Sequence, residues 1–169
     1  MAGNCIWPPP TDQGGAQKNY TGRFETFTRR PIIDCYIHIP SLGVEGPVPF
    51  LMDTGADCSV LMPADAERLK VDPSKLVYSR TSTGIGGDCH EKIAPCHLYV
   101  ADDTTIYGYR FPLGVAVDDP EDGLEEVPSI LGMDILRYWK IYFDYPEKVI
   151  TFTVQMSDDE RPLHPSGQK

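Results

Sequence analysis

The sequence predicts a mainly β fold, a closed or partly closed β architecture with one or two short helices. Two observations carry this. Short runs rich in β-branched and aromatic residues alternate with Pro, Gly, Asp and Ser clusters through the middle of the chain, which is how many short strands joined by turns are written. Helical signals are confined to "PADAERLK" and "MDILRYW". With 169 residues and 41% hydrophobic content, the chain suits one domain with tails.

Taken in order, residues 1–22 combine a triple proline with Gly, Gln and Asn, a composition that cannot bury enough surface to order itself, so a flexible arm is expected. The domain is expected over 23–156. "IIDCYIHI" reads as a strand, and Pro40, Ser41 and Gly43 turn the chain back into "PVPFLM", a hairpin that delivers Asp53. "CSVLM" is another short strand. Pro63 then suits the first position of a helix, with Asp65 and Glu67 in its dipole-favoured first turn. Further strands follow in "KLVYSRTSTGIGGDCHEKIAPCHLYV" and "TTIYGYRFPLGVAV", then an acidic loop "DDPEDGLEEVP", then "SILG". That loop lacks the Asp-x-Asp-x-Asp-Gly order of a calcium loop and reads as a solvated turn. A second helix and two closing strands, "KIYFDY" and "KVITFTV", complete the domain; "KVITFTV" could supply an intersubunit strand. Residues 157–169 are expected to trail as a flexible tail.

Charge and cysteine content narrow the function classes. A formal net charge of −10 argues against nucleic acid or an anionic membrane surface as partner. No apolar run reaches the roughly 18 residues of a membrane span, and no secretory signal begins the chain, so a cytoplasmic location is expected. Five cysteines make an odd number without disulfide density, which fits reduced thiols. Cys89-His90 and Cys96-His97 have zinc-ligand chemistry but no usual zinc spacing, and strand alternation sends neighbours to opposite faces. No metal or cofactor is expected.

The stretch "FLMDTGADCSVL" places a carboxylate, Asp53, at the end of an apolar strand, where desolvating its charge is costly. Gly55 permits close backbone approach, Thr54 offers a hydroxyl that can lock the loop, and Asp53 is left projecting from rigid structure. Such an Asp can serve a site, or it can simply cap a turn; the three residues alone leave both open.

Three motifs in order carry a resemblance. "DTGAD", the glycine-rich "TGIGG" some thirty residues later, and "SILGMDILRYWKIYFDYPEKVITF" together resemble the retropepsin-like aspartic proteases, in particular their cellular and bacterial branch. "TGIGG" lacks the Lys-Ser or Lys-Thr that a phosphate loop requires. The resemblance spans roughly residues 30–154 and implies a closed acid-protease β barrel with one half-site per chain. Asp53 would be the catalytic acid, paired with Asp53 of a second copy in a homodimer. Thr54, Gly55, Ala56 and Asp57 would support the loop, with the Thr54 hydroxyl bridging the two copies. Gly84, Ile85, Gly86 and Gly87 would form the tip of a flap over an extended polypeptide substrate, and Ile130, Leu131 and Gly132 would pack beside the catalytic loop. Two carboxyls about 3 Å apart cannot both ionise, so such a pair holds one proton and activates a water. The implied activity is an aspartic endopeptidase.

Departures from the pattern leave an alternative. Met133 stands where many viral members place an Arg that pairs with the second Asp of the loop, so a partner for Asp57 has to come from elsewhere, with Arg80 and Arg137 as candidates. If the dimer is weak, the fold could serve as an inactive or weakly active dimerisation or peptide-binding module.

Overall fold

Strict alternation of apolar side chains drives the first hairpin. The structure, a computed structural model, describes residues 20–84, 87–117 and 127–163. Strand β1 spans Tyr20–Phe24, β2 Pro31–Ile39 and β3 Val44–Met52. On β2, Ile33, Cys35, Ile37 and Ile39 are fully buried, and on β3 Val48, Phe50 and Met52 join them, so one face of the pleat is core. β2 and β3 pair antiparallel from Ile32 opposite Leu51 to Ile39 opposite Val44. Gly43, at φ +63°, makes the turn between them, a backbone conformation that costs a Cβ-bearing residue more than glycine.

The remaining elements are β4 Val60–Leu61, α1 Pro63–Arg68, β5 Tyr78–Gly84, β6 Gly87–Ala101, β7 Thr105–Ala116, β8 Ile130–Leu131, α2 Met133–Leu136, β9 Trp139–Asp144, β10 Val149–Val154 and β11 Asp159–Pro162. β6 is long enough to do two jobs. Its first half pairs with β5 as a projecting hairpin, and its second half pairs with β2 through Leu98 opposite Ile37. That second pairing closes a barrel of β2, β3, β8, β4, β7 and β6, the closed β architecture the sequence predicts, and closure leaves none of these strands a long free edge inside the wall. Parallel pairing of β3 with β8, and of β4 with β7, sets the end of β3 beside Leu131.

Both expected helices form, and both are short. Pro63 occupies the first turn of α1, whose Met62 provides no side-chain cap. The Met62 N–H instead donates to Ser129 Oγ at 3.1 Å, and that hydroxyl donates to Asp65 Oδ2 at 2.7 Å. A side chain 67 residues away thus does the work of a cap.

Two boundaries and the role of one strand depart from the sequence expectation. β1 begins at Tyr20, inside the segment assigned to the arm, and pairs Tyr20–Gly22 with Phe152–Ile150. Residues 157–163, expected to trail, include β11, which pairs with β7 from Asp159 opposite Gly108 to Pro162 opposite Thr105. The attachment is polar: the Arg110 N–H donates to Asp158 Oδ2 at 2.6 Å and the Tyr109 hydroxyl donates to Met156 O at 3.0 Å. "KVITFTV", considered as an intersubunit strand, lies between β1 and β9 of its own chain. Trp139 holds this end together, stacking on Phe152 at 4.3 Å and donating to Tyr109 Oη at 2.7 Å.

Candidate active site

The site begins where β3 runs out. The Asp53 N–H donates to Leu131 O at 3.0 Å, which extends the β3–β8 pairing to the first residue of the loop. Asp53 Oδ1 accepts the Gly55 N–H at 2.8 Å, so the turn-capping role is real for one carboxylate oxygen. Among the described residues Oδ2 takes no hydrogen bond. Asp53 is half-buried, Thr54, Gly55 and Asp57 are exposed, and Ala56 is half-buried. The loop therefore offers a carboxylate to its surroundings while its backbone is fixed.

The fixing comes from beneath. Ala56 O accepts the Met133 N–H at 2.7 Å, and Asp57 O accepts the Asp134 N–H at 3.0 Å, so the loop's carbonyls satisfy the first orphan donors of α2. Gly132 makes this approach possible: a Cβ there would lie 2.6 Å from Cys58 C and 2.8 Å from Ala56 O. Ile130 pairs with both Leu51 and Val60, and Leu131 is fully buried. The structure thus brings the 53–57 loop and the 130–132 segment together.

A buried polar hub went unnoticed in the sequence. Ser59 is fully buried; its N–H donates to Asp134 Oδ2 at 2.9 Å and its hydroxyl to Asp134 Oδ1 at 2.6 Å, while Ser59 Oγ accepts the Gly132 N–H at 3.0 Å. Both carboxylate oxygens are occupied by charge-assisted bonds, the strong kind. The signal was the Asp of "LGMD" and the lone Ser of "CSVL", 75 residues apart and without a local reason to meet.

The β5–β6 hairpin carries the other predicted site residues. Gly84 pairs with Gly87 at its end, and Gly87 has φ +110°; Ile85 and Gly86 lie outside the described residues, as do residues 118–126 of the acidic loop. At the hairpin base, Arg80 pairs with Glu91 directly across the ladder, Nε donating to Oε2 at 3.1 Å and Nη2 to the same oxygen. Neither arginine considered for Asp57 reaches it: Arg80 is committed to Glu91, and Arg137 donates to the Tyr138 hydroxyl at 2.9 Å and lies over that ring.

Cysteine and histidine placement follows strand alternation. Cys35 and Cys96 point into the core, and burial raises both thiols, Cys96 to about 12, which removes the thiolate that reactivity needs. Among the described residues no three His, Cys, Asp or Glu side chains converge as a metal-ligand set.

The six-stranded barrel thus presents Asp-Thr-Gly at the end of one wall strand, braced by an Ile-Leu-Gly segment. The chain belongs to the aspartyl protease family, which it matches over residues 42–135, more than half its length. Its fold is retropepsin-like: a retropepsin-like aspartic protease from Rickettsia conorii superposes with a TM-score of 0.53 at 19% identity, covering 80% of this chain and 89% of that one. The EIAV protease in complex with an inhibitor is 26% identical, with a TM-score of 0.42, over 67% of this chain and 90% of that one. No curated protein sequence gives a match.

Proposed function

We propose that the chain is an aspartic endopeptidase whose site is completed by a second copy, each contributing Asp53. The observation that carries this is the free side of Asp53: its backbone and Oδ1 are bound within the chain, its Oδ2 is not, and it sits half-buried on a loop held rigid by α2 and β8. One chain holds a single such loop. Two copies meeting at this end bring two carboxyls together and exclude water from around them.

In that arrangement one carboxyl is ionised and takes a proton from a water held between the pair. The other is protonated and donates to the scissile carbonyl oxygen as the water oxygen bonds to the carbonyl carbon. The tetrahedral intermediate then breaks its C–N bond, a carboxyl proton passing to the leaving amine. The Thr54 hydroxyl, exposed on the face that meets the other copy, bridges the loops. The β5–β6 hairpin, with Gly84 and Gly87 and the tip residues Ile85 and Gly86, covers a peptide that lies extended as an added strand. The domain responsible spans 23–156, with Tyr20–Gly22 and β11 attached to it.

One feature favours a second reading, a binding module of the same fold. Among the described residues Asp57 has no cationic partner, so the dimer lacks one support. A mixed peptide library incubated with wild type and Asp53→Asn at pH 4 to 7, read by mass spectrometry beside sedimentation of the same samples, decides between them. Cuts made by wild type and absent from Asp53→Asn establish the endopeptidase. A dimeric wild type that makes no cuts establishes the binding module.

A further inference from the structure

Arg80 and Glu91 stand out from the rest of the β5–β6 hairpin. Two other cross-strand polar contacts there, Ser79 with Lys92 at 3.1 Å and Thr83 with Asp88 at 2.7 Å, are exposed. The Glu91 side chain is 0% exposed and Arg80 27%. A surface hairpin gains little from such a pair, because burying two charges costs about as much as their attraction returns, and an apolar pair of the same volume usually serves stability as well. Nε and Nη2 of Arg80 both donate to Oε2, and Oε1 takes no hydrogen bond from any described residue. Stability alone does not account for this pair.

Its surroundings do. Glu91 lies on Gly114 of β7, where a Cβ would overlap Oε2 and come within 2.9 Å of Arg80 Nη2. The Gly114 N–H donates to Ser59 O at 3.1 Å, and Ser59 is the hub that binds Asp134 and Gly132 beneath the Asp53 loop. From hairpin to loop the chain of contact is Glu91, Gly114, Ser59, Gly132. Every member is buried, and close-packed interiors transmit displacement instead of absorbing it. Arg80 also feels the charge of Asp134.

We propose that Arg80 and Glu91 are positioning residues that hold the β5–β6 hairpin in register with the Asp53 loop, so that this pair sets where the hairpin sits over bound peptide. The consequence for catalysis rests on the protease reading above; the mechanical coupling does not. Glu91→Gln keeps the side chain's volume and hydrogen-bonding oxygen while removing its charge, which makes it the variant of choice.

Hydrogen exchange of the full chain, read by mass spectrometry, tests the coupling. In Glu91→Gln, exchange is expected to rise about tenfold or more in both residues 78–93 and residues 53–62, with residues 33–39 of the core unchanged. On a cleaved peptide, KM is expected to rise about tenfold with kcat within about twofold, since the pair shapes binding and touches no reacting atom. A rise confined to the hairpin, a uniform rise across the barrel, or an unchanged KM overturns the proposal. Should Glu91→Gln fail to fold, Arg80→Lys, which keeps the charge and loses the planar fork, must show the same joint rise in smaller degree, and a rise in one segment alone overturns it. If wild type cleaves nothing, the protease reading fails while the exchange pattern still decides the coupling.

Discussion

Two carboxylates at the same end of the barrel are treated in opposite ways. Asp53 is half-buried, with its loop backbone tied down and one side-chain oxygen open. Glu91 is completely enclosed, paired with Arg80, and carries an oxygen that accepts no hydrogen bond from any described residue. The first charge is made available by building its support from other atoms: the carbonyls of Ala56 and Asp57 and the N–H groups of α2. The second is withdrawn from solvent and made part of the support. One carboxylate is thus held by a loop whose bracing comes from other atoms, and the other is itself built into the packing.

Breaking each carboxylate's environment should show that contrast in stability. Arg80→Ala leaves Glu91 buried without its cation, which costs about 3–5 kcal/mol. Asp53→Asn keeps the Oδ1 that accepts the Gly55 N–H and should change stability by less than about 0.5 kcal/mol. Urea denaturation of both variants beside wild type measures the difference. An Asp53→Asn that is as damaged as Arg80→Ala would mean that Asp53 is a structural carboxylate, and the contrast would collapse.

The support beneath Asp53 should give an intermediate effect. Ser59→Ala strands one oxygen of Asp134 and the Gly132 N–H in the interior, for a cost of about 2 kcal/mol. In a chain of this size that corresponds to a fall in Tm of about 4–8 °C. Scanning calorimetry gives the value, and a fall under 1 °C by that order-of-magnitude scale would show that the hub is not what braces the loop.

What could be read in advance divides along sequence distance. Asp53, Thr54 and Gly55 were legible because their signal is local: three residues after an apolar strand, with Gly55 bound back to Asp53 two positions away. β2 and β3 were legible because alternation fixes which face is core. The bracing was not, since Ser59 and Asp134 acquire meaning only once β4 and β8 lie side by side. Arg80 illustrates the failure well. Along the sequence it was a candidate partner for Asp57, yet the β5–β6 register sets it opposite Glu91, a partner no charge pattern along the chain points to. β11 was missed because "SDDERPLH" has a tail's composition; its strand is selected by Asp158 and Met156 docking on β7, not by any apolar face of its own.

A third charged region, at the far end of β6, supplies the smallest effect and sharpens the contrast. His97 is partly buried among His38 on β2, Arg110 on β7 and Arg161 on β11, near Tyr99 on its own strand, in a surface pocket of about 310 Å³ that Asp158 and Asp159 help to line. Desolvation first, and then the cationic neighbours His38, Arg110 and Arg161, hold its imidazole below the ordinary value of 6.5. The unfolded chain therefore takes up a proton at a pH where folded His97 still declines it. Stability should fall as pH drops below about 6.5 and recover as it rises, because the unfolded state binds more protons in that window. His97→Gln removes the increment, so urea midpoints at pH 7.5 and 5.5 should differ less in the variant than in wild type; equal differences would mean that the crowding of cations is not felt by the imidazole. The group is only partly buried, so the effect is small and should shrink further in high salt. Its sign still matters for the protease assays, since lowering the pH weakens the fold at this end of the barrel, and Asp53→Asn has to be compared with wild type in the same buffer for a loss of cuts to report on chemistry.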